Sequence, residues 1–197
     1  MSRVSGPWPP VSVEPPAVHP KAPAAGTELG VHFDECFGCG DEVDAGLRLR
    51  SVVGEGHTVL SKFTVTPAHQ GAPGLAHGGL LACAFDEALG SAVGNLLRRP
   101  AVTGKLETDF RRPVPVGSTL HIEARLDGTA GRKIYVSADG HLDAPDGPIA
   151  VTARALFVAV GFEHFTTHGD SAALQKLADA REKQRRAQDG QEWEINP

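Results

Sequence analysis

Residues 78–97, GGLLACAFDEALGSAVGNLL, decide the fold of this chain. The segment is rich in Ala and Leu and is closed by Arg98-Arg99-Pro100. Its length and the terminal proline predict one buried helix rather than a strand. Apart from Cys83, its only ionisable side chains are Asp86 and Glu87. Adjacent helical positions point about 100° apart, so at most one of these two carboxylates faces the core.

Alternating apolar and polar residues predict strands on both sides of this helix, two before it and four after it. The predicted strands cover residues 47–52, 58–65, 102–112, 120–126, 134–138 and 149–160. Residues 149–160 are apolar on both faces, which is typical of a strand inside a sheet. Residues 66–77 are rich in Gly, Pro and His and are expected to form a loop. Strands segregated around a single helix favour an α+β domain whose antiparallel sheet curls around that helix.

The two ends of the chain differ from this central part. Seven of the fifteen prolines lie between Pro7 and Pro23, so residues 1–28 are interpreted as a flexible or extended arm. The folded domain is expected over residues 29–162, followed by a tail over residues 163–197. The tail predicts a helix from Asp170 to Gln188 that begins at Asp170 or Ser171, with favourable i,i+4 pairs Asp179–Lys183 and Glu182–Arg186. That helix is either solvated or rests against a partner subunit.

Composition and charge exclude several classes of protein. The 197 residues are 41% hydrophobic and 22% charged, which fits one globular domain with tails. The net charge is −5, without the basic footprint of a nucleic-acid binder. Three cysteines are too few for a disulfide scaffold, and prolines occupy the place of a signal peptide's apolar run. No stretch is expected to span a membrane, so a cytoplasmic protein is expected, with small molecules or other proteins as partners.

The start of the predicted helix, His77-Gly78-Gly79, is a candidate site for an oxyanion. The first amides of a helix have no partner within it and carry the positive end of its dipole. Two glycines leave those amides open to a ligand, for example a carbonyl oxygen that becomes negative. Asp86 lies about 12 Å farther along the helix, so a second subunit would have to bring the two groups together. The plain alternatives are a loop-to-helix turn and a carboxylate that satisfies a buried donor.

The segment Cys36-Phe37-Gly38-Cys39 has the spacing of a zinc-binding pair. No second Cys/His pair follows it at finger spacing, and His32 and Asp41 could complete a site only by chance folding. No metal site is therefore expected. Cys83 is expected to be a small core residue.

HQGAPGLAHGGLLACAFDEALG (residues 69–90) resembles the core motif of the hotdog-fold acyl-CoA thioesterases of the phenylacetate-pathway type. The resemblance extends through residues 101–126, 131–138 and 151–160, and it includes CFGCGDEVDAGLRLR at 36–50. It implies a hotdog fold, in which a curved antiparallel sheet wraps a long central helix. It also implies hydrolysis of acyl-CoA thioesters to the free acid and coenzyme A, without a metal or redox cofactor, in a homodimer or a dimer of dimers (a homotetramer).

The same resemblance implies roles for four residues of the reacting centre. Asp86 matches the acidic residue that acts as nucleophile or as general base on a water. Gly78 matches the residue whose amide polarises the thioester carbonyl, and His77 supports that turn. Thr103 matches a hydroxyl residue that positions the water or the carboxylate of the other subunit.

Other positions are implied to bind the substrate. Asp109, Arg111 and Arg132 match residues that contact the coenzyme A part, and Lys133 is their expected neighbour. Cationic side chains suit this role because the coenzyme carries phosphates. Several relatives have Asn six residues before the His of His-Gly-Gly, where this chain has Gly71, so His69 or Gln70 is expected to take its place. Gly79 is also expected to contact the substrate. The alternative functions are a dehydratase or hydratase of acyl thioesters and a non-catalytic acyl-CoA binding protein.

Overall fold

The computed structural model describes residues 6–176 and 178–179. The chain divides into two compact units, Met1–Val160 and Gly161–Pro197, and each is described by itself. The strands of the first unit are β1 (Glu28–Leu29), β2 (Arg50–Val53), β3 (Thr58–Thr64), β4 (Gln70–Ala72), β5 (Leu75–Ala76), β6 (Ala101–Phe110), β7 (Thr119–Ala130), β8 (Lys133–Leu142) and β9 (Ile149–Ala159). Its helix α1 covers Gly78–Ala92.

Seven of these strands form one antiparallel sheet in the order β1-β2-β3-β7-β8-β9-β6. Helix α1 packs against β3, β6, β7, β8 and β9. The α+β prediction of a sheet packed on one long helix is therefore confirmed. Strand β9 lies between β8 and β6, as its apolar pattern predicted, and β6 is at the edge of the sheet.

The contact between α1 and the sheet forms the core. Phe85 and Leu89 on α1 are fully buried, and truncation of such side chains to alanine typically costs about 2–5 kcal/mol. Phe85 lies against Gly140 of β8, where a Cβ would be only 2.6 Å from Cζ of the Phe85 ring. A glycine at that position therefore lets the helix approach the strand.

Helix α1 continues as a π-helical turn over Val93–Leu97 and ends at Arg98, which has a left-handed backbone (φ 50°, ψ 38°). Residues 78–97 are long and apolar enough to cross a membrane, contrary to the expectation for this chain. Half of this segment is buried inside the domain, which is typical of a core helix.

Two predictions for the region before α1 were wrong. Residues 47–49 precede β2 as a loop in which Leu47 and Leu49 are buried and Arg48 has a positive φ of 49°. Residues 66–77, expected to be a loop, contain the short hairpin β4–β5 directly before α1. Runs of two or three residues with Gly and Pro give too short an alternation to indicate a strand.

Trp8 and Glu14 of the N-terminal arm contact the edge of the domain formed by β7 and β8. Trp8 Nε1 donates to the Asp127 carboxylate at 2.8 Å, and the Trp8 ring meets Tyr135 edge-on at 5.4 Å. Glu14 and Thr129 exchange backbone hydrogen bonds of 2.8 and 3.0 Å. The described residues of the arm therefore contact the sheet at these points, and turns interrupt the arm at residues 20–21 and 25–26.

The second unit begins with a short helix, α2 (Phe162–His168), which the sequence did not predict. Residues 171–176 are helical, and Asp170 accepts hydrogen bonds from the amides of Ala172 and Ala173 at 2.9 and 3.1 Å. Asp170 is therefore the N-cap, as predicted. The predicted pairs with Lys183 and Arg186 lie outside the described residues.

Candidate active site

His77 caps the start of α1 with both its ring and its carbonyl. Its Nδ1 accepts from the Gly79 amide at 2.9 Å, and its carbonyl accepts from the Leu80 and Leu81 amides at 3.0 Å. No acceptor for the Gly78 amide lies within the part of the chain that the structure describes. Gly78 borders the ring of Phe110, since a Cβ on Gly78 would be 3.5 Å from Cζ. Gly78 therefore offers a free donor at the positive end of the helix dipole, next to the end of β6.

The turn before α1 is held by His69 and Gln70. The His69 side chain is 1% exposed, its Nδ1 accepts from the Thr66 amide at 3.1 Å, and its carbonyl accepts from the His77 amide at 2.8 Å. Gln70 bridges the hairpin, because its Oε1 accepts from the Gly74 amide at 2.7 Å. The polar atoms of both residues thus position the turn, and contact of His69 or Gln70 with the substrate stays a prediction.

The departure at Gly71 has a steric reason in this chain. A Cβ at Gly71 would lie 2.8 Å from the Cα of His77 and 3.0 Å from its Cβ. An asparagine at that position would therefore push His77 out of its capping place.

Asp86 and Thr103 form a hydrogen-bonded pair. Asp86 is half-buried on α1, and Thr103 is exposed near the start of β6, where the register with β9 shifts between Thr103 and Lys105. Thr103 Oγ1 donates to Asp86 Oδ1 at 2.8 Å. Thr103 thus contacts the carboxylate of its own chain, whereas the resemblance implied the water or the carboxylate of the other subunit.

The predicted coenzyme-binding residues fall at two ends of the sheet. Asp109 and Arg111 lie at the end of β6 near Gly78, and Arg111 Nε donates to Thr152 Oγ1 at 3.4 Å. Arg132 and Lys133 lie at the turn between β7 and β8, where Lys133 pairs with Val158 and Val158 pairs with Val102. Because Thr103 and Phe110 are separated by about 23 Å of strand, one chain does not bring these two groups together.

One chain therefore carries two partial sites at opposite ends of β6. The amide half-site consists of Gly78, Asp109 and Arg111, and the carboxylate half-site consists of Asp86, Thr103, Arg132 and Lys133. Next to the amide half-site is an open cleft of about 670 Å³ that is lined by Arg111, Arg112, Asp139, Ile149 and Thr152. Its arginines suit the binding of an anionic group.

Glu87 points to a different neighbourhood from that of Asp86. Its carboxylate lies 3.3 Å from His32 Nδ1 and 3.5 Å from Cys36 Sγ. Burial acts to raise the pKa of Glu87, but hydrogen bonds from His32, Cys39 and Cys36 outweigh it and hold the pKa below its ordinary value. The contact of Glu87 with the loop that carries Cys36 and Cys39 was not predicted. The Cys-x-x-Cys spacing indicated only that the two cysteines could act as a pair.

A protein-family model described as "Thioesterase superfamily" matches residues 73–147, which include Gly78, Asp86 and Thr103. The matched segment runs from the hairpin before α1 to the turn before β9. This segment of the domain is therefore similar to the thioesterase superfamily. The resemblance stated from the sequence is thus confirmed at the level of the superfamily.

Curated relatives of the thioesterase domain carry acyl-coenzyme A thioesterase names. Bos taurus acyl-coenzyme A thioesterase THEM4 is 42% identical over 77 residues, which cover 39% of this chain and 31% of that protein. Mus musculus acyl-coenzyme A thioesterase THEM5 is 35% identical over 75 residues, which cover 38% of this chain and 30% of that protein. The chain thus spans about a third of the length of these two relatives.

Solved structures share the fold of the thioesterase domain. The Escherichia coli PaaI protein of the phenylacetic acid degradation operon aligns with a TM-score of 0.53 and 20% identity, over 58% of this chain and 81% of that chain. Zebra fish thioesterase superfamily member 2 aligns with a TM-score of 0.54 and 16% identity, over 64% of this chain and 91% of that chain. At these identities the likeness concerns the fold.

Proposed function

We propose that this chain hydrolyses acyl-CoA thioesters to the free acid and coenzyme A, with Asp86 as the reacting carboxylate. The observation that carries the proposal is the pairing of Asp86 with Thr103 on a fold that also leaves the Gly78 amide free. The names of the curated relatives support the substrate class.

The reaction needs both half-sites at one thioester carbonyl. Gly78 and Asp86 are about 12 Å apart along α1, so one chain cannot supply both. Strand β6 lies at the edge of the sheet, and its end carries Phe110, which is 52% exposed. An edge strand with an exposed aromatic residue is suited to pairing with a second copy. Two β6 strands that pair antiparallel about a two-fold axis would bring the amide half-site of one chain to the carboxylate half-site of the other.

The chemistry at such a shared site follows from the two groups. The Gly78 amide donates a hydrogen bond to the thioester oxygen and stabilises the negative charge that develops there. Asp86 either attacks the carbonyl carbon directly or removes a proton from the water that attacks it. In either case the carbon–sulfur bond then breaks, and the coenzyme A thiolate leaves and takes up a proton. Where Asp86 has attacked, a water then hydrolyses the acyl–Asp86 anhydride, which releases the free acid and restores the carboxylate. Thr103 holds one carboxylate oxygen of Asp86 and leaves the other for the substrate or the water.

The cationic residues suit the coenzyme part of the substrate. In the antiparallel pair, Arg111 of one chain would approach Arg132 and Lys133 of the other. A guanidinium matches a phosphate in two parallel hydrogen bonds, so these side chains are placed to hold the phosphates of the coenzyme. Asp109, beside Arg111, would contribute an acceptor for a hydroxyl or an amine of the nucleotide.

The test is a thiol-release assay on the full chain with straight-chain acyl-CoAs of graded length and with aromatic acyl-CoAs. We expect coenzyme A to be released at a rate proportional to the enzyme concentration. We expect the Asp86→Asn variant to lose this activity. Binding of acyl-CoA without release of thiol would instead indicate a non-catalytic binding protein. Hydration of an enoyl thioester without release of thiol would indicate a hydratase.

A further inference from the structure

Four side chains that the proposed hydrolysis does not use converge on one point beside α1. They are His32, Cys36, Cys39 and Glu87, and their ligand atoms all lie within 4.8 Å of one another. His32 Nδ1 is 3.0 Å from Cys39 Sγ and 3.3 Å from Glu87 Oε1. Cys36 Sγ is 3.5 Å from Glu87 Oε2. We propose that these four residues bind one zinc-class divalent cation, which fastens the loop 32–39 to α1.

The distances fit a tetrahedral site. Bonds of 2.0–2.3 Å from zinc to nitrogen, oxygen and sulfur place neighbouring ligand atoms about 3.3–3.8 Å apart. Three of the six separations are 3.0, 3.3 and 3.5 Å, close to these values, and all six are within 4.8 Å, so a bound cation would draw the more distant ligand atoms inward. Two thiolates, an imidazole and a carboxylate are all ligands that zinc takes, and the thiolates select against magnesium and calcium.

The backbone of the loop already has the shape that such a site needs. The Gly38 amide donates to Cys36 Sγ at 3.3 Å, and the Gly40 amide donates to the Cys36 carbonyl at 2.8 Å. A Cβ at Gly40 would lie 2.1 Å from the carbonyl oxygen of Asp34, so only glycine closes this turn. Arg50 Nη1 donates to the Cys39 carbonyl at 2.9 Å and holds the turn against β2. The fold of the loop therefore positions the two sulfur atoms without a disulfide bond between them.

Glu87 supplies the ligand that the sequence did not reveal. It lies 51 residues after Cys36, on the helix, and the loop closes directly over it. A Cβ at Gly38 would be 2.4 Å from Glu87 Oε2, so glycine at this position permits the approach. Asp41, the other acidic candidate of the sequence, pairs with Arg50 instead. No metal site was expected from the sequence, because nothing in the sequence indicated a ligand from α1.

The proposed site is structural rather than catalytic. Four protein ligands fill a tetrahedral zinc and leave no position for a substrate or an activated water. Because Glu87 is adjacent to Asp86, the cation would fix the middle of α1 and with it the direction of the Asp86 side chain. The inference stands on the cluster alone and does not depend on the proposed hydrolysis.

The test measures metal bound to the full chain. After purification under reducing conditions in buffer with trace zinc, elemental analysis is expected to give about one zinc per chain. The variants Cys36→Ser and Cys39→Ser are expected to lose it. Cys83→Ser is the matched control, because Cys83 lies on α1, the helix of Glu87, but is not part of the cluster. This variant is expected to keep the zinc. Cobalt added to zinc-depleted protein should give the intense visible bands of a tetrahedral thiolate site, and Glu87→Gln should alter those bands.

A second measurement guards against variants that fail to fold. For the unmodified chain, a chelator is expected to lower the melting temperature, and stoichiometric zinc is expected to restore it, whereas magnesium is not. The same shift should occur in Cys83→Ser. Three results would each overturn the proposal: no bound zinc and no cobalt spectrum, equal zinc in Cys36→Ser and Cys83→Ser, or a Cys36–Cys39 disulfide in protein isolated under reducing conditions.

Discussion

Thr103 on the edge strand donates a hydrogen bond of 2.8 Å to the carboxylate of Asp86 on the central helix. The two residues are separated by 17 positions in the sequence and meet because β6 returns alongside α1. The Asp86 carboxylate therefore points toward the edge strand β6, along which a second copy would pair. This single contact ties the reacting group of the proposed hydrolysis to the proposed subunit interface.

Asp86→Asn is expected to keep the fold and to lower kcat for acyl-CoA hydrolysis about 100-fold or more. The amide keeps the size of the side chain and can still accept from Thr103, but it can neither attack a carbonyl carbon nor take a proton from water. Steady-state thiol release at saturating substrate measures the effect. Glu87→Gln, studied with zinc present and at equal folded fraction, is expected to lose far less. Equal losses in the two variants would remove Asp86 from its role.

Thr103→Val is expected to lower kcat by about tenfold, since a hydrogen bond to a charged group contributes about 1.5–3 kcal/mol. Valine has the shape of threonine without the hydroxyl, so the loss reports the hydrogen bond rather than packing. Thr103→Ser keeps the hydroxyl and should retain most of the activity. The kcat values of the two variants are measured in the thiol-release assay and compared. If both variants lose the same activity, the hydroxyl does not orient Asp86.

Asp127 should make the stability of the first unit depend on pH. Its carboxylate accepts from Trp8 Nε1 at 2.8 Å and from Ser137 Oγ at 2.9 Å. Burial raises the pKa of Asp127, and these hydrogen bonds oppose that rise without cancelling it. Because the folded pKa exceeds the unfolded one, the folded state binds the proton more tightly. The stability contribution is thus full below the unfolded pKa of about 4 and is lost as pH rises through the folded value.

Asp127→Asn is expected to remove this part of the pH dependence, because an amide does not titrate. Its oxygen can face Trp8, and the Ser137 hydroxyl can turn to accept from its NH₂ group. Urea unfolding at a series of pH values from about 3 to 7 gives the free energy of unfolding for each protein. Asp146→Asn, at an exposed position, serves as the control and should keep the wild-type slope. An unchanged slope in Asp127→Asn would contradict the assignment.

The sequence predicted the elements whose signal is local. The helix at 78–97 was identified by its length and its closing proline, four of the six main strands by alternation of apolar and polar residues, and β9 by its continuous apolar run. The hairpin β4–β5 and helix α2 were missed because each is too short to establish a period. The contacts of Trp8 with Asp127 were missed because they join residues 119 positions apart.

The residues of the candidate site also differ in how well the sequence alone predicted them. His77 and Gly78 at the helix start follow from helix geometry, whereas Thr103 was singled out only by the resemblance to a family. Its contact with Asp86 of the same chain was not predicted. The role of His69 in the turn was not predicted, because a histidine in a capping turn has the same sequence signature as a histidine in a site. The convergence of Glu87 with Cys36 and Cys39 was not predicted, because Glu87 lies on α1 and is remote from both cysteines in sequence.

Arg111→Ala and Arg132→Ala are expected to raise KM for acyl-CoA more than they lower kcat. A side chain that holds the phosphates equally in the ground state and the transition state contributes uniform binding. The effect should shrink with a thioester analogue that lacks the nucleotide. Arg99→Ala, an exposed arginine at the end of the helical segment, is the control. An unchanged KM with full-length acyl-CoA would remove both arginines from the binding site.

A mixed dimer tests whether the two half-sites come from different chains. Gly78→Pro removes the free amide with little strain, because proline suits the first helical position and His77 already has the extended backbone (φ −71°, ψ 130°) that a following proline requires. Gly78→Ala keeps the amide and adds a Cβ at an ordinary 3.5 Å from Phe110, so it is the matched control and should stay active. Homodimers of Asp86→Asn and of Gly78→Pro are each expected to be inactive.

After subunit exchange between Asp86→Asn and Gly78→Pro, each mixed dimer carries both defects in one site and an intact second site. Its activity should therefore recover to about half that of the wild-type dimer, by two-fold symmetry. Differently tagged chains isolate the mixed species, and thiol release per dimer gives the result. Two outcomes would contradict the shared site: no recovery although exchange is proven, or full turnover by a chain that sediments as a monomer at the assay concentration. In either case Gly78 and Asp86 would not act on the same carbonyl from two chains.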